Sequence, residues 1–226
     1  MREAKDRAFY DEDYYAGRTR NSLPHTREVV APLSRRTARF LCHRCRPQRA
    51  LDIGCAMGFL VEALRAQGVR EAYGVDISLY AVTQAASAQR RHLMVADAQA
   101  GLPIRSGSCD LVTAVDVFEH LADPRPALGE IGRVLGDRGY AFLKICHPRH
   151  PNVCRDPSHV NVRSAAYWRG AFRRAGFSAT RLYEAEFAPE DGLRGRLKGC
   201  VRRWREWAAI GTPADYKFLL RKRRHG

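Results

Sequence analysis

The stretch "LDIGCAMGFL", residues 51–60, runs from an apolar segment into an acid, then through a turn of small residues into the start of a helix. A strand that ends at Asp52 and turns through Gly54, Cys55, Ala56 and Gly58 exposes backbone against which a nucleotide-like ligand can lie. Whether that turn stands alone or opens a repeating pattern decides the fold.

The pattern repeats. "EAYGVDIS" (71–78) reads as a second strand ending at Asp76, and "LYAVTQAASAQR" (79–90) as a helix. "HLMVADA" (92–98) reads as a third strand ending at Asp97, and "CDLVTAVDVFEHL" (109–121) as a fourth strand that runs into Asp116. A helix over 127–139, a fifth strand "YAFLKIC", a helix over 164–177 and a late strand "ATRLYEAEF" complete the series. Strands alternating with helices at this spacing predict a doubly wound, mostly parallel, Rossmann-like α/β sheet with helices on both faces. Upstream, apolar positions recur at helical spacing from Arg27 to Cys45, and Pro47 ends that helix. The division expected is a helical N-terminal cover over 1–49, a catalytic domain over 50–192 and a basic, helical C-terminal extension over 193–226.

Composition narrows the function. The chain has 226 residues, is 45% hydrophobic and carries a net charge of +15. It holds no apolar run of the roughly 20 residues that span a bilayer. The first residues, "MREAKDRAFYDEDYY", lack the apolar middle of a signal peptide, so a cytoplasmic location is expected. Seven cysteines, an odd number scattered over a long chain, read as reduced thiols. Acids outnumber bases in the central stretch, and the excess of Lys and Arg lies in the two ends. No basic motif interleaved with aromatics appears, so solvated charge is the favoured reading over a nucleic-acid partner.

Acids at strand ends are costly unless a ligand or a helix cap satisfies them. In doubly wound sheets, ligands bind at the carboxyl ends of the strands, and there the sequence places Asp52, Asp76, Asp97 and Asp116. Asp76 follows Asp52 by 24 residues, close to the separation at which an acid grips ribose hydroxyls. The turn argues against a dinucleotide, because Gly-x-Gly-x-x-Gly is met here by Gly54, Ala56 and Phe59, and Asp52 would face phosphate charge.

These residues carry a family resemblance. "LDIGCAMGFL", "YGVDIS", "VADAQAGLP", "CDLVTAVDVFEHLADP" and "ALGEIGRVLGDRGYAFL", in that order, resemble the class I S-adenosylmethionine-dependent methyltransferases over about residues 50–145. The resemblance implies S-adenosylmethionine as cofactor. Gly54 and Gly58, with Cys55 between them, would let the backbone approach its methionine part near Asp52. Asp76 would take the ribose hydroxyls and Ile77 would pack on the adenine. Asp97 and Ala98 would meet the adenine edge, and Asp116 would line the methionine end. Ala56 departs from a position where the family often has glycine. A looser resemblance of residues 155–177 to bacterial members of secondary or saccharide metabolism implies a small-molecule acceptor.

Methyl transfer needs alignment and, for a hydroxyl or ammonium acceptor, a proton acceptor. His120 in "FEHL" is one candidate base, and His147 and His159 in the following loop compete with it. Asp156 is expected on the substrate side, as are Tyr14 and Tyr15, which with Tyr10 fold over the site. Asp156 also reads as the capping acid of a turn in "DPSH". Cys42 and Cys45 have the spacing of half a zinc site, but no second pair follows, and no metal is expected. Two further readings stay open: an RNA or protein methyltransferase using its basic ends, and a cofactor-binding protein without transfer activity. Trp204 and Trp207, three residues apart, give the C-terminal extension an apolar stripe, with which it would pack on the domain, dimerise or lie on a membrane surface.

Overall fold

The computed structural model describes residues 5–19, 24–149, 156–183, 187 and 215–223. Among the described residues, a 3-10 turn (Arg7–Phe9) precedes a short helix α1 (Glu12–Tyr15) and a long helix α2 (Arg27–Cys45). The alternating unit follows as β1 (Arg49–Ile53), α3 (Phe59–Ala66), β2 (Glu71–Asp76), α4 (Leu79–Gln84), α5 (Ser87–Arg90) and β3 (Leu93–Val95). Then come β4 (Cys109–Val115), α6 (Arg125–Val134), β5 (Leu135–Ile145), α7 (Ala165–Arg174), β6 (Phe177–Leu182) and β7 (Tyr216–Lys222). Among the described residues, no helix is long and apolar enough to cross a membrane.

The seven strands form one sheet in the order β3-β2-β1-β4-β5-β7-β6. β1 to β5 pair in parallel, and β7 runs antiparallel to both β5 and β6. Chain order reverses between β1 and β4, so the crevice for a ligand opens beyond the carboxyl ends of these two strands. Side chains alternate across each strand. Leu51, Ile53, Val112 and Ala114 therefore join the core on one face, with α6 and α7. Ala50, Leu111 and Phe142 join the core on the other, with α2 and α3.

Three details depart from the sequence reading. The helix expected over 79–90 is split into α4 and α5, because Ala85 and Ala86 take extended backbone angles between them. The helix expected over 127–139 ends at Val134, and Leu135 opens β5 by pairing with Cys109. The third departure concerns the boundary at residue 192. It cuts between β6 and β7, which pair along their whole length from Phe177↔Lys222 to Leu182↔Lys217. The strand "YKFLLRK" was hidden by its basic residues, yet Tyr216 to Leu220 are all buried. Lys217 is buried along its stem, with Nζ 5.4 Å from the centre of the Phe187 ring, so a lysine here does not signal a solvated face. Trp204 and Trp207 lie outside the described residues.

β7 is therefore part of the core. Phe218 is fully buried and meets Phe172 of α7 edge to face, with ring centres 5.2 Å apart. Phe218→Ala is expected to lower unfolding free energy by about 3–5 kcal/mol, read from urea midpoints. A change near zero would show that the last strand lies on the sheet without supporting it.

Candidate active site

A cavity of about 490 Å³ opens at the carboxyl edge of the sheet, between the ends of β1, β2 and β4 and a roof made by α1 and the start of α2. Of the residues expected in the site, Asp52, Gly54, Cys55, Asp76, Ile77, Asp97, Ala98 and Asp116 line it. So do Tyr14, Tyr15, His120, Asp156 and His159.

The turn after β1 is held in place by Asp76. One carboxylate oxygen accepts from the Ala56 N–H at 2.7 Å, and the other accepts from the Ser78 N–H at 2.8 Å and the Tyr15 hydroxyl at 3.4 Å. Ala56 is left-handed at φ 48°, a conformation costing a residue with a Cβ about 1–2 kcal/mol. Its hydrogen bond to Asp76 offsets that cost. Gly54 is also left-handed, at φ 71°, and a Cβ there would meet Val117 Cγ2 at 2.3 Å. The turn thus packs so closely under the β4 exit that only glycine fits. Gly58 has a different task. It is the N-cap of α3, a Cβ on it would meet Leu93 at 2.9 Å, and it is not part of the cavity wall.

Asp52 lies beside the turn, 3% exposed, and accepts from the Thr113 hydroxyl at 2.6 Å. Burial pushes its pKa up to about 7, opposed by Thr113 and reinforced by the charge of Asp76. Burial also raises Asp76 above the usual carboxylate range, against the pull of its hydrogen bonds.

Asp116 is left-handed too, at φ 55°. Both its oxygens bond Lys144 Nζ at 2.6 Å, and Asp215 takes the same ammonium at 2.9 Å. Burial alone would lower the Lys144 pKa, but the two carboxylates outweigh it and keep the group charged. Glu119 is 1% exposed and lines the cavity. Its Oε1 accepts from the Cys146 N–H at 3.0 Å, and its Oε2 has no partner among the described residues. Burial and then the charge of Asp116 raise its pKa.

His120 closes the other side. Its Nδ1 lies 2.9 Å from Ser158 Oγ, which lies 2.5 Å from Asp156 Oδ1. His159 Nε2 is 3.7 Å from the other Asp156 oxygen, and the two histidine rings meet at 4.8 Å. Tyr10 packs edge to face on His120, with ring centres 6.0 Å apart. Burial, and then His159, hold the His120 pKa well below the ordinary histidine value, with Asp156 pulling the other way. The ring is a neutral imidazole at pH 7.

His147, expected as a competing base, is not part of the cavity wall. It leaves β5 toward the neighbouring strand, where its ring packs on Tyr216 at 4.6 Å and its Nδ1 accepts from the Arg149 N–H at 3.0 Å. Cys42 and Cys45 are half-buried on α2 against the core, where burial raises both thiols. His150 and Cys154, which lie between His147 and His159 in the sequence and add to its store of soft ligands, fall outside the described residues. The sequence reading missed Ser158, Glu119, Lys144 and Asp215. Only Ser158 carried a local signal, because an Asp-x-Ser turn directs both the serine N–H and its hydroxyl to the aspartate.

The donor set suits a nucleoside ligand bearing a cationic group. The cavity has carboxylates for a diol and for positive charge and a glycine turn with no room for a Cβ, and the described residues form no phosphate cradle. Comparisons with known proteins agree with this chemistry. Residues 51–143 match the model of a methyltransferase domain. The chain is 34% identical over 188 residues to the uncharacterized methyltransferase YcgJ of Bacillus subtilis, covering 76% of this chain and 69% of that protein. It is 30% identical over 101 residues to the ubiquinone biosynthesis O-methyltransferase of Aromatoleum aromaticum, 42% of this chain and 43% of that one. A S-adenosylmethionine-dependent methyltransferase from Archaeoglobus fulgidus superposes with a TM-score of 0.67 at 20% identity, over 96% of this chain and all of that one.

Asp52 gives this site a pH signature. The unfolded chain releases its proton near pH 4 and the folded chain near pH 7. Between these values the folded state binds more protons, so the stability Asp52 contributes is lost as pH rises. Asp52→Asn is expected to remove that slope. Its advantage over the parent should grow from pH 5 to pH 8 by on the order of 1–3 kcal/mol, read from urea midpoints at each pH. A difference independent of pH would mean that Asp52 ionises as an ordinary carboxylate.

Proposed function

Because this chain belongs to the class I S-adenosylmethionine-dependent methyltransferases, we propose that it methylates a hydroxyl or amine on a small molecule, with His120 as the proton acceptor. The cofactor supplies a methyl group on a sulfonium, and the chain's own residues bind, orient and deprotonate. Asp76 and Ile77 would hold the nucleoside, and Asp97 and Ala98 its base edge. Asp52, Gly54, Cys55 and Asp116 would surround the amino-acid end. Tyr14, Tyr15 and Asp156 would meet the acceptor, with His159 beside Asp156.

One observation carries the small-molecule reading: the roof. The Tyr10 carbonyl accepts from Ser78 Oγ at 2.5 Å, and the Tyr15 hydroxyl donates to Asp76. The N-terminal segment is thereby tied across the cavity, where a polymer would need an open approach. The wall's charge supports the same reading against RNA. Among the described residues, Asp52, Asp76, Asp97, Asp116, Glu119, Asp156 and Asp215 line the cavity, against Lys5 and Lys144, and Lys144 is already held by two carboxylates. A phosphate backbone meets repulsion there, whatever the net charge of the whole chain.

His120 suits proton removal because it is neutral at pH 7 and lines the cavity. Its low pKa makes it a weak base in isolation, and Asp156 stabilises the imidazolium once it forms.

The test begins with labelled methyl donor and a panel of hydroxyl- and amine-bearing small molecules, with tRNA and acidic peptides as the polymer arms. Label in a small acceptor is expected; label confined to RNA or peptide overturns the reading. Calorimetry with S-adenosylhomocysteine should show Asp76→Ala weakening affinity tenfold or more, about 1.4 kcal/mol. An unchanged affinity in the folded variant would remove Asp76 from the ribose site. His120→Gln should lose roughly 10²–10⁴-fold in kcat with cofactor affinity retained. Full turnover in that variant would leave alignment as the sole contribution of this wall.

A further inference from the structure

We infer that Ser158 sets the tautomer of His120, fixing the proton on Nδ1 so that Nε2 is the nitrogen left to take a proton from the acceptor. The inference rests on the reading of His120 as base, but a count of hydrogens carries it separately.

Ser158 is fully buried, and its geometry is over-determined. Its backbone N–H donates to Asp156 Oδ1 at 2.8 Å, and its Oγ stands 2.5 Å from the same oxygen. A carboxylate is an acceptor only, so the hydrogen in the Oγ–Oδ1 contact belongs to the serine. A hydroxyl has one hydrogen. None remains for His120 Nδ1, which nonetheless lies 2.9 Å from Oγ. Two lone pairs cannot meet at that distance without a proton between them, so Nδ1 carries it and donates to the serine. A neutral imidazole has one N–H, which puts the lone pair on Nε2.

The arrangement does the orienting work of a carboxylate on a histidine, with one hydroxyl interposed. His159 explains the interposition. It engages the other oxygen of Asp156 at 3.7 Å and packs on His120 at 4.8 Å, so the carboxylate serves two rings. When His120 accepts a proton at Nε2, the Nδ1 proton stays in place. The acceptor oxygen or nitrogen keeps the electron pair of the broken bond, and the new imidazolium lies one hydroxyl from the Asp156 charge. Ser158 is a positioning residue in this scheme. It touches neither acceptor nor cofactor, and it acts through His120.

The test reads the tautomer directly and needs no acceptor. Long-range proton–nitrogen spectra of the whole chain with ¹⁵N-labelled histidine distinguish Nδ1–H from Nε2–H rings, and His120→Gln assigns the His120 signals. The parent protein is expected to show His120 as a neutral Nδ1–H ring, although free imidazole side chains favour Nε2–H. Ser158→Ala should move it to Nε2–H or to a mixture, and Ser158→Thr should restore Nδ1–H. A parent spectrum with Nε2–H overturns the inference, and so does an Ser158→Ala protein that binds S-adenosylhomocysteine and still shows Nδ1–H. Should Ser158→Ala fail to fold, the parent and Ser158→Thr spectra decide. An Nδ1–H ring in an enzyme whose His120→Gln variant keeps full turnover upholds the tautomer and overturns the base reading. A loss of turnover in that variant with an Nε2–H parent ring overturns the tautomer alone.

Discussion

The Asp76 carboxylate ties together three parts of the chain that are distant in sequence. Its bonds to the Ala56 N–H, the Ser78 N–H and the Tyr15 hydroxyl join the turn after β1, the start of α4 and the N-terminal roof. A buried carboxylate is costly unless several donors meet it, and the strand ends of a parallel sheet are where unpaired backbone N–H groups converge. The same acid therefore stabilises a left-handed alanine, caps the entry to a helix and anchors a lid of tyrosines. A ligand diol held here would compete with the longest of these bonds, the one to Tyr15, and leave the backbone framework intact.

The first half of the fold was legible because its signals are local. Apolar strands, most of them ending at an acid, alternate with helices from Leu51 to Ile145, and β1 to β5 pair in parallel as that alternation requires. The second half was not. β7 reads as a basic segment, since Lys217, Arg221 and Lys222 interrupt its apolar pattern. Its place between β5 and β6 depends on pairings with residues about 75 and 40 positions earlier, which no window of sequence contains. The split between α4 and α5 was hidden for the opposite reason. The residues there are good helix formers, and tertiary placement overrides propensity.

Within the site, the acids at strand ends were legible from type and position alone, as were His120, His159 and Asp156. Ser158 was not, because a serine in a turn has many local uses, and its distinction here comes from meeting His120, 38 residues away. Lys144 and Asp215 were missed because each looks like surface charge. Lys144 is instead inward-facing on β5, and Asp215 precedes the strand that the sequence concealed. His147 was misplaced by its neighbours: a histidine just past β5 looks like a rim residue, but the hidden β7 supplies Tyr216 as its packing partner.

The charge of the molecule is divided so that its sign at the site opposes its sign overall. A chain of net charge +15 encloses a cavity whose wall, among the described residues, carries seven carboxyl groups and two lysines. Such a wall favours a cationic occupant over a neutral one of the same shape, and the preference is large where water is excluded. Loss of positive charge from an occupant during reaction therefore weakens its hold, which helps the site to empty. The raised pKa values of Asp52 and Glu119 limit the effect, because carboxyls that share a dry space do not all ionise together. The cavity's charge is thus set partly by what it contains. A cation entering lowers those pKa values, draws out protons and meets a wall more negative than the empty one, so that binding and ionisation reinforce each other.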